Sequence, residues 1–219
     1  MDQRWCRHGG LAVGVVAALS MGGLDRGRLQ AVRAELGAEG PRHDAGQSQR
    51  AQRLLNITPE TGELLAVLVR ASGARRVLEI GTSNGYSTLW LAEAAAALGG
   101  SVVTVEHAAH KIALAQRSFA RAGVEGCVEL VHADAGVWLA DTGSAAFDLL
   151  FLDAERTLYC DWWPQLRRVL RPGGLLVVDN ALSHAAEMAP FAALLHADAA
   201  FTCTTLPVGN GELLAVKDA

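Results

Sequence analysis

The chain has 219 residues, of which 51% are apolar and 19% are charged, which suits one well-buried domain and argues against overall disorder. A net charge of −4 without any basic tract argues against a nucleic-acid surface. Four cysteines with no Cys-x-x-Cys pair argue against a zinc site or a disulfide framework.

Residues 1–24 contain an uncharged apolar stretch that begins at Gly9 and follows several basic residues. We interpret this stretch as a helix that packs on the domain or on a second subunit, because it is short for a membrane span. Small residues around Ala18 have a spacing compatible with the cleavage site of a secretion signal. Membrane contact or export through residues 9–24 is therefore an alternative to the cytoplasmic location that we expect.

A helical cap is predicted over residues 25–55. Its polar helix is expected from Asp25 to Leu36, and the glycine- and proline-containing stretch Gly37–Gln49 is expected to form a loop. A further helix is predicted to begin at Pro59, with Thr58 as its cap.

Strands and helices alternate through the main domain, residues 56–219. Apolar runs predict five strands that each lead into a helix, followed by an antiparallel pair; the strands are Arg76–Ile80, Ser101–Glu106, Val128–His132, Phe147–Asp153, Leu175–Asp179, Phe201–Leu206 and Glu212–Lys217. This order indicates a Rossmann-like, doubly wound α/β fold. Its seven-stranded sheet is mostly parallel, with an antiparallel C-terminal strand and helices on both faces. Ligands of such sheets bind at the carboxyl ends of the strands.

The turn after the first strand reads Gly81-Thr82-Ser83-Asn84-Gly85. A strand, a glycine turn and a helix N-terminus together expose amide N–H groups that suit a polar ligand. The dinucleotide pattern Gly-x-Gly-x-x-Gly requires glycine where Ser83 stands. Glu79 precedes the turn and suits a positively charged group such as the ammonium of an amino acid. Both features favour S-adenosylmethionine over NAD.

Acidic residues at the ends of the second and third strands fit the same cofactor. Glu106 could accept hydrogen bonds from a ribose diol, or it could cap the following helix. Asp134 could accept a hydrogen bond from the amine of an adenine ring beside Ala135. It could also cap a helix, and these two roles are compatible.

Three oxygen-bearing side chains end the next two strands. Asp153 ends the fourth strand, and Asp179 and Asn180 end the fifth. If the first, fourth and fifth strands are adjacent, these side chains converge next to the Gly81 turn. Two carboxylates and an amide oxygen suit Mg²⁺, Mn²⁺ or Ca²⁺ rather than zinc.

From about Asn56 to Lys217 the chain resembles the cation-dependent O-methyltransferases, the group of catechol and caffeoyl-CoA O-methyltransferases. The matching stretches are Thr58–Gly62, Val77–Ser87, Thr104–Glu106, Phe147–Asp153 and Arg171–Asn180, of which the last two are the most specific. The resemblance implies methyl transfer from S-adenosylmethionine to a hydroxyl of a small catechol-like or hydroxycinnamoyl-type acceptor. We also expect a homodimer.

The same resemblance implies the residues of the site. The cofactor contacts would be Ile57, Glu79, Gly81, Thr82, Ser87, Glu106, Asp134, Ala135 and Asp153. A divalent cation, with Mg²⁺ as the first choice, would be held by Asp153, Asp179 and Asn180. The catalytic residues would be Asp153 and the residue three positions later.

That later position is Arg156, where many family members carry a lysine as general base. A guanidinium stays protonated, so Arg156 cannot take the proton. Neither of the chain's two lysines can readily substitute, because Lys111 is expected on the helix after the second strand and Lys217 in the last strand. We expect the cation to acidify the acceptor and Arg156 to stabilise the phenolate or bind a substrate carboxylate. His184 is an alternative base.

Two other functions stay open. An NAD-dependent oxidoreductase is disfavoured by Ser83 and by the three oxygen donors, whereas Arg156 leaves room for a non-catalytic protein that binds S-adenosylmethionine. Among the nearby aromatic residues Tyr159, Trp162 and Trp163, we expect at least one to pack in the core and another to line the acceptor pocket. The Gly37–Gln49 loop and the N-terminal segment are expected to cover that pocket.

Overall fold

The computed structural model describes residues 24–219. The expectations for a packing helix, a signal or a membrane contact fall almost entirely on residues 1–23 and lie outside the described part. Leu24 packs against the core. Among the helices of the described part, none combines the length and apolarity that crossing a membrane requires.

Helices and strands alternate along the described chain. The helices are α1 (Arg26–Ala45), α2 (Pro59–Ser72), α3 (Tyr86–Ala96), α4 (Ala109–Ala122), α5 (Ala135–Asp141), α6 (Tyr159–Val169) and α7 (Ala185–Ala197). The strands are β1 (Arg76–Ile80), β2 (Ser101–Glu106), β3 (Val128–His132), β4 (Phe147–Leu152), β5 (Leu170–Val178), β6 (Phe201–Leu206) and β7 (Glu212–Lys217). The strand β5 begins earlier than predicted because Leu170 already pairs with Phe147. Asp153 and Asp179 follow their strands directly.

All seven strands form one sheet in the order β3-β2-β1-β4-β5-β7-β6. The first five strands are parallel, and β7 runs antiparallel to both of its neighbours. This order confirms the predicted fold and the adjacency of β1, β4 and β5. The strand order reverses between β1 and β4, which is where ligands of such sheets bind.

Helices cover both faces of the sheet. Alternate residues of β4 show this directly, because Leu149 and Phe151 belong to the apolar cluster beneath α1 to α4, whereas Leu150 and Leu152 belong to the cluster beneath α5 to α7. All four side chains are fully buried. Burial on both faces accounts for the continuous apolar runs in these strands.

The helix α1 extends beyond its predicted end, so the loop predicted over Gly37–Gln49 was wrong for most of its length. Gly37 and Gly40 in this stretch serve close packing rather than chain reversal. A Cβ on Gly37 would lie 3.1 Å from the hydroxyl oxygen of Tyr86, and one on Gly40 would lie 2.4 Å from the amide nitrogen of Asn56. Sequence pattern alone does not distinguish these two uses of glycine.

The helix α2 begins and ends as predicted. Thr58 caps it by accepting a hydrogen bond from the Thr61 amide at 3.2 Å, with Pro59 as the first helical residue. Gly73 ends the helix in the left-handed conformation. The fixed start of α2 places Ile57, which precedes the Thr58 cap, beside the cavity at the carboxyl edge of the sheet.

Candidate active site

A cavity of about 920 Å³ lies at the carboxyl edge of the sheet, where the strand order reverses. The segments after β1, β2, β3, β4 and β5 all contribute to its lining. Every expected cofactor residue except Glu79 lies in this lining, as do all three expected cation ligands. The cavity therefore brings the predicted cofactor residues and the predicted cation ligands together.

The turn after β1 depends on Gly81. Its φ of +107° is accessible mainly to glycine, and a Cβ there would lie 2.0 Å from the carbonyl oxygen of Asp153. Ser83 donates from its hydroxyl to the carbonyl of Leu54 at 2.6 Å, which ties the turn to the segment that carries Ile57. Sequence reasoning considered Ser83 only as a missing glycine.

Asn84 is a further residue of the turn that sequence reasoning missed. Its side-chain oxygen accepts from the Tyr86 amide at 3.2 Å, while its amide nitrogen is buried without a partner among residues 24–219. Asn84 also lines the cavity. A buried donor that lacks a partner is costly unless a ligand satisfies it, so this turn suits a ligand with an acceptor group.

Glu79 lies behind the turn and does not line the cavity. It is fully buried, and its carboxylate accepts hydrogen bonds from Ser87 at 2.5 Å, from Thr104 at 2.6 Å and from Thr88. Burial raises the pKa of Glu79 to about 7, although the three hydroxyls oppose this shift. Ser87 lines the cavity and links Glu79 to it.

Glu106 accepts hydrogen bonds from the amides that lead into α4, which agrees with one of the two roles considered for it, whereas its contact with a ribose stays a prediction. One carboxylate oxygen accepts from the amides of His107 and Ala108 at the start of α4, at 3.0 and 2.9 Å. The other accepts from the Ser83 amide at 3.0 Å. Asp134 likewise caps α5 by accepting from the Val137 amide at 3.0 Å while it lines the cavity.

Asp153, Asp179 and Asn180 converge at the tips of β4 and β5. The Asn180 amide nitrogen lies 3.2 Å from an oxygen of Asp153 and 2.9 Å from an oxygen of Asp179. Burial and the nearby Asp179 charge raise the pKa of Asp153 well above its ordinary value. Burial also raises the pKa of Asp179.

A third carboxyl group, Glu212 of β7, lies behind this pair and was not foreseen. Thr61 donates to one of its oxygens at 2.7 Å, and both residues are fully buried. Burial and the Asp179 charge raise the pKa of Glu212 to about 9. The protonated carboxyl can therefore donate to Asp179 from its other oxygen. A single carboxylate at the start of an apolar strand was the only signal for it in the sequence.

Arg156 lines the cavity although only 6% of its surface is exposed. Its Nε and Nη2 atoms lie 2.9 and 2.8 Å from one carboxylate oxygen of Glu187 on α7. His184 lines the same cavity, and its Nδ1 lies 2.9 Å from the Ser183 hydroxyl. The structure thus keeps both residues near the acidic pair, as the sequence suggested.

Lys111 lies on the helix after β2, as predicted, but it is nearer to the site than that position suggested. The helix α4 starts at the carboxyl edge of the sheet, so Lys111 in its first turn reaches the cavity lining. Lys217 does lie elsewhere, since its Nζ donates to the carbonyls of Arg167 and Leu170 at 2.7 and 2.8 Å.

The aromatic residues after β4 divide between core and cavity. Tyr159 and Trp163 are buried in the core, and Tyr159 also accepts from the Ala154 amide at 2.8 Å. Trp162 lines the cavity, as expected for one member of the group. Among residues 24–219, the segment 50–57 lines the cavity on the side of the first strands. The prediction that residues 37–49 cover the cavity was wrong, because most of this stretch belongs to the packed helix α1.

The oxygen donors at the strand tips are of the type that hard cations prefer. Within residues 24–219, no three His, Cys, Asp or Glu side chains form a metal-binding group by themselves. A ligand set made of three side chains at this position would therefore include the amide oxygen of Asn180. That oxygen accepts from the Ser183 hydroxyl at 3.1 Å, so the amide must turn before it can face a cation. Two buried carboxylates with raised pKa values are the kind of pair that a cation stabilises.

Known proteins share this architecture. The O-methyltransferase family profile matches residues 43–217. A catechol O-methyltransferase of Niastella koreensis is 33% identical over 131 residues, covering 58% of this chain and 59% of that protein. The chain thus spans less than two thirds of that relative's length.

Two solved structures carry the cofactor or its product. The O-methyltransferase of Bacillus cereus, in complex with SAH, is 27% identical with a TM-score of 0.72, over 89% of this chain and 92% of that one. The O-methyltransferase TomG from Streptomyces achromogenes, in complex with SAM, is 29% identical with a TM-score of 0.73, over 86% and 90%. With the family match over residues 43–217, this chain belongs to the O-methyltransferase family.

Proposed function

We propose that this protein transfers a methyl group from S-adenosylmethionine to a hydroxyl of a small aromatic acceptor with adjacent oxygens, assisted by a divalent cation. The observation that carries the proposal is the convergence of Asp153, Asp179 and Asn180 beside the Gly81 turn in one cavity. The catechol O-methyltransferase among the relatives supports the acceptor class.

The cofactor would lie along the tips of β1, β2 and β3. Glu106 offers a carboxylate to a ribose diol, and Asp134 offers an acceptor to an adenine amine. Asn84 has a side-chain donor without a partner among residues 24–219, and this donor would face the cofactor carboxylate. The remaining proposed contacts are Ile57, Gly81, Thr82, Ser87, Ala135 and Asp153, with Glu79 acting through its hydrogen bond to Ser87.

Asp153, Asp179 and Asn180 would hold the cation, with Mg²⁺ as our first choice and Mn²⁺ or Ca²⁺ as alternatives. A divalent cation bound there would lower the pKa of a coordinated hydroxyl and restrict its orientation. Arg156 would contact the acceptor from the same side, and Trp162 would pack beside its ring. Glu212 would hold the Asp179 carboxylate in place through a shared proton.

The proposal is tested by calorimetry followed by an acceptor panel. Mg²⁺ and S-adenosylmethionine are titrated into the purified protein, and methylated products of catechol, caffeate and single-hydroxyl phenols are then measured by mass spectrometry. We expect cofactor binding, and products only from the acceptors with adjacent hydroxyls.

Two results would contradict the proposal. Cofactor binding without product from any acceptor would favour a non-catalytic binding protein. NADH binding in place of S-adenosylmethionine would favour an oxidoreductase, which Ser83 argues against.

A further inference from the structure

Arg156 lines the cavity, and only part of its guanidinium is hydrogen-bonded to Glu187. Both of its hydrogen bonds go to one oxygen of Glu187, from Nε and Nη2. Within the described range, 24–219, no hydrogen bond from Nη1 is found. Although Arg156 is only 6% exposed, Nη1 is not one of the buried polar atoms that lack a partner, so this donor stays accessible from the cavity that Arg156 lines. The geometry therefore leaves room for an anionic partner supplied by a ligand.

The charge of Arg156 acts on the same two carboxylates that would hold the cation. It lowers the pKa of both Asp153 and Asp179, in opposition to burial, which raises them. An acceptor oxygen bound at this cation site would thus lie close to the guanidinium as well. A guanidinium beside a developing or full negative charge stabilises that charge without exchanging a proton.

The groups around Arg156 decide whether a side chain could still serve as a general base beside Asp153. The titratable and charged groups that surround Arg156 from neighbouring elements are Lys111, Asp153, Glu155, Tyr159, Asp179, His184 and Glu187. Burial raises the pKa of Tyr159 far above its ordinary range. Asp153 and Asp179 are already paired through Asn180. His184 and Lys111 are the two side chains that could still act as bases.

We propose that the acceptor reacts as an oxyanion formed before the methyl transfer, and that Arg156 binds this oxyanion in place of a general base. This inference rests on the proposed methyl transfer. The acceptor first loses its proton to water. Its oxygen then attacks the methyl carbon, an O–C bond forms, and the C–S bond breaks with its electron pair left on sulfur. The oxyanion and the sulfonium thus become a neutral ether and a neutral thioether.

This role selects a class of acceptor. Acceptors whose hydroxyls ionise readily, such as aromatic diols with electron-withdrawing substituents, are bound as anions to a larger extent near neutral pH than less acidic acceptors are. The rate should then follow the ionisation of the acceptor rather than the ionisation of any side chain. A fixed general base would give the opposite behaviour, with one enzyme pKa common to all acceptors.

The first test compares pH profiles of kcat/KM for catechol and for the more acidic 4-nitrocatechol. We expect the half-maximal pH of the wild type to differ between the two acceptors by about as much as their own pKa values differ. In Arg156→Lys a titratable amine replaces the guanidinium, and the two profiles should move closer together. A half-maximal pH that is equal for both acceptors in the wild type overturns the inference. So does a limb of the pH profile that is common to both acceptors and disappears in His184→Gln or Lys111→Met.

The second test needs no turnover. 4-Nitrocatechol changes colour when it ionises, so its bound state can be read by absorbance with wild-type protein, SAH and Mg²⁺ present. We expect its apparent pKa to rise by about one unit or more in Arg156→Met relative to the wild type, and Arg156→Lys to keep part of the difference. The control Arg167→Met breaks an exposed pair with Asp198 and should change nothing.

Equal apparent pKa values in wild type and Arg156→Met, with both folded by thermal melting, overturn the inference. Failure of the proposed function would look different, since it would leave SAH binding intact with no methylated product from any acceptor. The absorbance measurement is independent of that outcome.

Discussion

The carbonyl oxygen of Asp153 lies where a side chain on Gly81 would begin, since a Cβ there would stand 2.0 Å from it. The Asp153 amide in turn donates to the Ile80 carbonyl at 3.0 Å. The turn proposed to bind the cofactor and the aspartate proposed to bind the cation are thus held together by these two backbone contacts. A change on either side should disturb both.

Gly81→Ala is expected to weaken SAH binding strongly and to lower the free energy of unfolding by about 3 kcal/mol, because it combines a backbone clash with a positive φ. The matched control is Gly73→Ala, where φ is +66° but nothing lies within 4 Å of the added Cβ. The free energy of unfolding of that variant should fall by about 1 kcal/mol, and its affinity for SAH should be unchanged. Calorimetry and urea unfolding measure both, and equal losses in the two variants would refute the contact.

Glu79 is expected to make stability depend on pH. Its pKa is raised from 4.5 to about 7 in the folded chain, mainly by burial. The folded state therefore binds this proton more tightly than the unfolded chain, and the free energy of unfolding should fall as pH rises through this window, by roughly 3 kcal/mol. Glu79→Gln has no such proton, so its unfolding free energy in urea should fall less over the same range. Parallel pH curves for the two proteins would contradict this.

Asp153→Asn is expected to act in opposite directions with and without a divalent cation. Without the cation, at pH 8, it removes a buried charge beside Asp179 and should raise the free energy of unfolding by about 1–2 kcal/mol. With Mg²⁺ present, the wild type should gain melting temperature and the variant should not.

The control for this change is Asp148→Asn, at the other end of β4. Burial raises the pKa of Asp148, but the hydrogen bonds that it accepts outweigh this effect and lower the pKa overall. They come from the amides of Arg75 and Arg76 and from the side chain of Arg171. This variant should lose stability and keep its response to Mg²⁺. A wild type whose melting temperature ignores Mg²⁺ would remove the case for the cation site.

Thr61→Val is expected to destabilise the fold by about 2 kcal/mol, because it removes the hydrogen bond to the buried Glu212 carboxyl. Thr61→Ser keeps the hydroxyl and should lose less than half as much. Urea unfolding at pH 7 compares the two variants. If valine and serine are tolerated equally, the hydrogen bond contributes nothing to stability.

The sheet and most of the site could be predicted because they depend on local patterns. An apolar run that ends in a carboxylate predicts a buried strand with its last residue at the sheet edge, and this placed Asp153 and Asp179 correctly. The packing role of Gly37 could not be predicted, because it depends on Tyr86, which is far away in the sequence. Lys111 and Glu212 were missed for a similar reason, since helix rotation and sheet pairing decide what they face.

Methyl transfer from labelled S-adenosylmethionine to catechol, assayed with Mg²⁺ and again after chelation by EDTA, examines the proposed chemistry in one step. We expect methylated catechol with Mg²⁺, loss of the product with EDTA, and recovery when Mg²⁺ is restored in excess. Product formation that EDTA leaves unchanged, or no product from protein that binds the cofactor, would contradict a cation held by Asp153, Asp179 and Asn180 beside the methyl donor.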